Sequence, residues 1–230
     1  MQPIRLSSQR VVRVQRREPG SPCTDVFVTT AGGRLFVRAW GDVRSARERA
    51  PILLFHDSLG CVELWRDFPP MLARATGRAV IAYDRLGFGQ SDPRSDALEF
   101  DFVRKEARTS LPALRDALSL ERVILFGHSV GGGMAVAAAA AFPAWSEAVI
   151  TESAQAFVED RTVRGIQHAR RALQTPARFG RLERYHGRKA RWVLDAWTET
   201  WLSPRFAAWT LDQDLRDLRC PVLALHGDRD

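Results

Sequence analysis

Ser129 is the residue in this sequence best set up to act as a nucleophile. It stands in Gly127-His128-Ser129-Val130-Gly131, after the apolar run 123–126 and before small residues that meet no helix breaker until Pro143. A strand that turns directly into a helix holds the turn residue in a strained conformation and lifts its hydroxyl clear of the sheet edge. Gly127 and Gly131 flank it two positions to either side, where a Cβ would collide as strand and helix converge. The Val130 N–H, at the first turn of the helix, faces the place where an oxyanion would form, and the helix dipole adds partial positive charge there. Such an arrangement supports nucleophilic attack on a carbonyl. A G-x-S-x-G pattern also arises by chance in Ala/Gly-rich helices; the strand before it and the helix after it decide for the catalytic reading.

A serine held this way needs a sheet edge with helices behind it, and the chain supplies the pieces in order. DVFVTTAGGRLFVRAW (25–40) is two alternating strands around Gly32-Gly33, a hairpin signal. PILLFHDSLG (51–60) is a buried strand, 52–55, running into a loop that carries His56, Asp57, Ser58 and Gly60. Leu64, Phe68, Met71, Leu72 and Ala75 approach helical spacing, and Pro69-Pro70 makes that helix start after a turn. AVIAYD (79–84) is the next strand, with RLGFGQSDP as its exit loop. Residues 98–120 form an amphipathic helix that Pro112 kinks or divides. AVITES (148–153) is a further strand. Strands alternating with helices imply an α/β fold with a mostly parallel sheet. From 154 to 212 no strand-like run occurs and the periodicity is helical, with Val193, Trp197 and Trp201 stepping by four along one face. The strand pattern resumes in PVLALHGDRD.

Composition narrows the partners. A length of 230 residues suits one large core with an inserted subdomain. The net charge of +7 comes almost entirely from arginines spread through every segment, without the clustering and interleaved aromatics of a nucleic-acid binder, so a small-molecule substrate is expected and no nucleic acid. Cys23, Cys61 and Cys220 suggest neither a disulfide framework nor a zinc site, which fits a reducing, cytoplasmic setting. No membrane partner is expected, since no run of eighteen apolar residues and no hydrophobic signal-peptide centre occurs. Residues 1–23 read as a loose basic extension ending near Pro19-Gly20, with an organelle-targeting peptide as the alternative, since Arg5, Arg10, Arg13, Arg16 and Arg17 precede the first acid, Glu18. Oligomeric state is not set by these features.

Four motifs in order, HDSLG after the third strand, DRLGFGQSD after the fourth, GHSVGG after the fifth and HGDRD after the penultimate one, resemble the α/β-hydrolase superfamily. The resemblance covers about residues 24–230 and points to the branch of small esterases, cofactor-free haloperoxidase-like proteins and carbon–carbon bond hydrolases. It implies an α/β-hydrolase core over 24–153 and 213–230, with helices on both faces of the sheet and a helical lid at 154–212. Residue by residue it implies Ser129 as nucleophile, the Ser58 and Val130 amides as oxyanion hole, and Asp230 as acid, with Glu152 after the sixth strand as the alternative acid. Asp228 becomes a turn residue, Asp84 and Arg85 braces, and Trp197 and Trp201 a substrate-binding face. No metal or organic cofactor is implied. The activity implied is hydrolysis of esters or thioesters with small-to-medium apolar acyl groups; carbon–carbon bond hydrolysis, perhydrolase chemistry and non-catalytic ligand binding are the alternatives. A Ser at this position argues against dehalogenase and epoxide hydrolase chemistry, for which the nucleophile in this fold is Asp.

Two features depart from the pattern. Where the family usually has His-Gly, this chain has His56-Asp57, a carboxylate beside the oxyanion loop that points either away from the site or into it. The triad order in this fold is Ser, acid, His, and none of the five histidines stands where the base belongs. His128 is expected to point under Ser129, His56 and His226 to brace strand ends, and His168 and His186 to lie on the surface of the insertion. A last strand, a histidine loop and a final helix are therefore expected beyond Asp230, with little triad-dependent turnover from residues 1–230 alone and with 222–225 as an exposed apolar edge strand.

Overall fold

Period-two alternation splits the strands of one eight-stranded sheet between two apolar layers. The computed structural model describes residues 11–14, 23–41, 43 and 49–228. Its strands are β1 (Val11–Val14), β2 (Cys23–Thr30), β3 (Gly33–Trp40), β4 (Ile52–Phe55), β5 (Val80–Tyr83), β6 (Val123–His128), β7 (Ser146–Glu152) and β8 (Val222–Leu225), in the order β1-β2-β3-β5-β4-β6-β7-β8. The pairs from β5 through β4, β6 and β7 to β8 are all parallel, whereas β1, β2 and β3 join antiparallel. The expected hairpin is present, with Thr30 paired to Gly33 across its turn. The extension expected to be loose contributes β1, which pairs antiparallel with β2.

Leu53, Phe55, Ile81, Tyr83, Val123 and Leu125 face one layer, while Ile52, Leu54, Val80, Ala82, Ile124 and Phe126 face the other. The first layer is covered by α2 (Phe102–Leu118) and α3 (Val130–Ala141), the second by α1 (Phe68–Thr76). α1 begins with its two prolines in the first turn, where their missing N–H groups cost nothing. Pro112 lies inside α2 without dividing it, contrary to one of the two outcomes expected of it. The alanine-rich α3 is buried around almost its whole circumference, which small side chains permit.

The insertion contains α4 (Asp160–Ala172), α5 (Pro176–His186), a short 3-10 turn (Gly187–Lys189) and α6 (Ala190–Trp201). Its two ends lie side by side: Phe157 bridges to Thr210, and the Leu211 N–H donates to Ala156 O at 2.7 Å. α7 (Asp212–Asp217) then returns the chain to the core, where Asp214 pairs with Arg104 of α2. β8 is exposed along its length, with Leu223 52% accessible. Among the described residues no helix is long and apolar enough to cross a membrane.

Candidate active site

Ser129 occupies the single turn between β6 and α3 with φ 55° and ψ −126°, a left-handed conformation that non-glycine residues rarely adopt. The turn is fixed from both sides, by Ser129 N–H donating to Glu152 O and Gly132 N–H donating to Ser129 O, each at 2.9 Å. The two glycines have the steric reason expected of them. A Cβ on Gly127 would stand 2.0 Å from Gly131 O, and one on Gly131 would stand 2.1 Å from Phe55 O. Backbone atoms on both sides leave no room for either. Val130 begins α3, so its N–H is among the amides at a helix start that lack an intrahelical acceptor.

Ser129 opens into a cleft of about 550 Å³. Ser58, Trp197 and Trp201 line the same cleft, so the structure brings together most of the residues singled out in the sequence. Asp230 lies outside the described residues. The Ser129 hydroxyl is 3.4 Å from Gln155 Oε1, a bond at the long limit. Gln155 was not foreseen, and neither was the wall formed by Arg161, Thr162, Gly165 and Ile166 of α4. Their spacing of one, four and five residues is that of one helix face, so helical periodicity was the signal available for them.

Asp57 resolves toward the site. It lines the cleft, its Oδ1 accepts the Leu59 N–H at 2.7 Å, and its Oδ2 is 3.5 Å from His128 Nδ1. Burial opposes its charge, but the His128 ring and the Leu59 N–H outweigh that and hold the carboxyl down at about 2. His128 consequently does not point under Ser129. Its ring lies in the cleft wall between Asp57 and Glu152, with Nε2 3.4 Å from Glu152 Oε2. A strand-end residue beside two carboxylates has a polar alternative to the packed interior, and His128 takes it. The alternative acid, Glu152, thus faces the ring next to Ser129.

His56 and Arg85 are braces. His56 Nδ1 is 2.8 Å from Asp57 O, its Nε2 accepts the Arg85 N–H at 3.2 Å, and Arg85 Nη2 donates to Asp57 O at 2.7 Å. Burial and the neighbouring Arg85 push the His56 ring well below its usual 6.5, which keeps it neutral. Asp84 accepts the Val62 and Gln90 N–H groups, each at 2.6 Å. His226 lines the cleft just beyond β8. His186 departs from its expected surface position: it is only 2% exposed, because its ring is inserted between two core loops.

The sequence model described as the alpha/beta hydrolase fold matches residues 50–230. The chain belongs to the α/β-hydrolase family. Over 113 residues this α/β-hydrolase is 34% identical to a proline iminopeptidase of Lactobacillus delbrueckii subsp. lactis, a match covering 49% of this chain and 37% of that protein. It is 30% identical over 143 residues to the serine hydrolase BPHL of Homo sapiens, covering 61% of this chain and 46% of that one. Each match spans less than half the length of the relative. Among solved structures, a carboxylesterase study of Nitrososphaera gargenis superposes with a TM-score of 0.69 at 19% identity, over 88% of this chain and 80% of the other. An enol-lactonase of Burkholderia xenovorans LB400 superposes with a TM-score of 0.64 at 20% identity, over 88% and 81%. At these identities the likeness to solved structures establishes the fold alone.

Proposed function

We propose that this α/β-hydrolase cleaves carboxylic esters or thioesters of small-to-medium apolar acyl groups through an acyl-enzyme on Ser129. The observation that carries the reading is the strained Ser129 turn opening into a cleft lined by Ser58, Ile166, Trp197 and Trp201. Attack by Ser129 Oγ on the carbonyl carbon forms a tetrahedral oxyanion, received by the Ser58 and Val130 amides. Collapse expels the alcohol or thiol, and water then releases the acid. The insertion acts as the lid over the acyl group, with Trp197 and Trp201 as its apolar contacts. Ser129 needs an imidazole to take its proton, and of the histidines described His128 and His226 line this cleft. Free thiols at Cys23, Cys61 and Cys220 support a cytoplasmic setting.

A panel of chromogenic esters of graded acyl length tests this on a form of the protein that carries the triad histidine, with Ser129→Ala as the control; residues 1–230 alone are expected to show little turnover. The expected result is hydrolysis of apolar acyl esters that falls by about a thousandfold or more in the variant. Undiminished hydrolysis in Ser129→Ala would overturn the mechanism.

A further inference from the structure

His186 closes α5, a helix that carries Arg178, Arg181 and Arg184 and is solvent-facing at most positions, yet its own ring is buried against backbone. Its Nδ1 accepts the Gly89 N–H at 2.9 Å, and its Nε2 is 2.9 Å from Leu59 O. Both contacts are satisfied together only by the neutral ring carrying its proton on Nε2, with Nε2–H donating to Leu59 O. Leu59 belongs to the loop that presents Ser58. Its side chain packs into the insertion's apolar cluster with Phe88, Leu182, Val193 and Leu194, its N–H is taken by Asp57, and its carbonyl is taken by His186. Ser58 therefore lies between two residues whose positions are fixed.

The same corner of the insertion grips the loop after β5. Lys189 Nζ donates to Phe88 O at 3.1 Å, to Gly89 O at 2.7 Å and to Ser91 O. The Trp192 ring covers Gly87 so closely that a Cβ there would come within 2.4 Å of it. Residues 186, 189 and 192 thus dock on two core loops at once, and His186 alone bonds to both.

We propose that His186 is a positioning residue that locks the 56–60 loop to the insertion, so that the Ser58 amide is held in place only while the α5–α6 corner is docked. The proposal rests on the reading of the Ser58 amide as an oxyanion donor. A second proton, on Nδ1, would set donor against donor at Gly89 N–H and break the bond to that turn, while Nε2–H keeps its bond to Leu59 O. Burial is the largest influence on the ring and lowers its proton affinity below the usual 6.5; the bond to Leu59 O and the charge of Asp57 favour the protonated form, and Lys189 and Arg85 disfavour it. Neutral His56 lies in the same neighbourhood, and the Phe88 ring meets His186 edge-on at 6.0 Å. Acidification is therefore the direction that loosens the corner on its Gly89 side, with the Leu59 bond retained.

Hydrogen–deuterium exchange of the 230-residue chain tests this, with His186→Phe to keep the volume without the bonds and His186→Gln to restore one of them. The expected result is exchange about tenfold faster in peptides covering 56–62 and 84–92 of His186→Phe, with His186→Gln intermediate. In the parent protein the 84–92 peptide loosens between about pH 7.5 and about pH 5 after correction for intrinsic exchange while 56–62 keeps its protection, and His186→Phe lacks that response. If peptide 56–62 keeps its protection in both variants while 180–192 loosens, His186 only packs the insertion and the proposal fails. On an ester that the parent hydrolyses, His186→Phe lowers kcat with KM little changed; a change confined to KM would also overturn it. If the 230-residue chain hydrolyses no ester, the exchange data alone decide the lock; failure of a form carrying the triad histidine to hydrolyse any ester would overturn the proposed function instead.

Discussion

Glycines with opposite surroundings separate strain from open space at the scale of single residues. At Gly131 a Cβ would stand 2.1 Å from Phe55 O, 2.7 Å from Phe55 C and 2.8 Å from His56 O, all backbone atoms that cannot move without dismantling the junction of β4, β6 and α3. Gly131→Ala is therefore expected to leave no folded protein at 37 °C, read as loss of the cooperative urea transition. At Gly165, inside α4, nothing lies within 4 Å of the added carbon. Gly165→Ala removes the backbone entropy of glycine from a helix interior without cost in packing, and is expected to stabilise the fold by about 0.5–1 kcal/mol in the same urea experiment. A destabilised Gly165→Ala would show that α4 packs more closely than the structure has it. Gly131 was legible from the spacing around Ser129, whereas Gly165 had no signal of its own.

That open position gains its meaning from the element that carries it. α4 turns Arg161, Thr162, Gly165 and Ile166 toward the cleft that Ser58 and Ser129 also line, so a glycine there leaves room that a side chain would fill. Gly165→Phe is expected to spare hydrolysis of short acyl esters and to lower kcat/KM for long ones by about tenfold or more, measured across the graded ester panel; equal losses at all lengths would remove α4 from the acyl wall. The elements themselves were largely readable. Hydrophobic alternation marked β2 and β3, and continuous apolar runs marked β4, β5 and β6, because strands buried on both faces must present apolar residues to both layers. The role of α5 was not readable. Its arginines describe a solvated helix, and the burial of His186 depends on Leu59, 127 residues away, and Gly89, 97 residues away. Contacts at such separations leave no local pattern. Asp57 was visible as a departure, but its direction depended on His128 and the Leu59 N–H, which only the fold brings beside it.

Across the whole molecule, the order of four short motifs was enough to establish the topology because each follows a strand and the strands share one sheet. What that order could not convey is that two histidines, His56 and His186, are buried among backbone groups that demand their neutral forms. Burial is the main cause in each, and both rings lie below the usual 6.5, His56 well below it. The unfolded chain therefore binds protons at these two positions in a pH range where the folded chain does not. Their contribution to stability is fully present above about pH 6.5 and is lost as pH falls toward the folded values. Two groups set a limiting slope of about 2.7 kcal/mol per pH unit, and His186→Gln should reduce it by about half. Asp57 adds a lower window of the same sign: its stabilisation is present above 3.8 and disappears as pH falls through about 2. Urea unfolding at intervals between about pH 7.5 and about pH 5 measures the upper window directly. A stability that stays level across it would mean that these rings are protonated within the fold, against the donor pattern that Gly89 and Arg85 present to them.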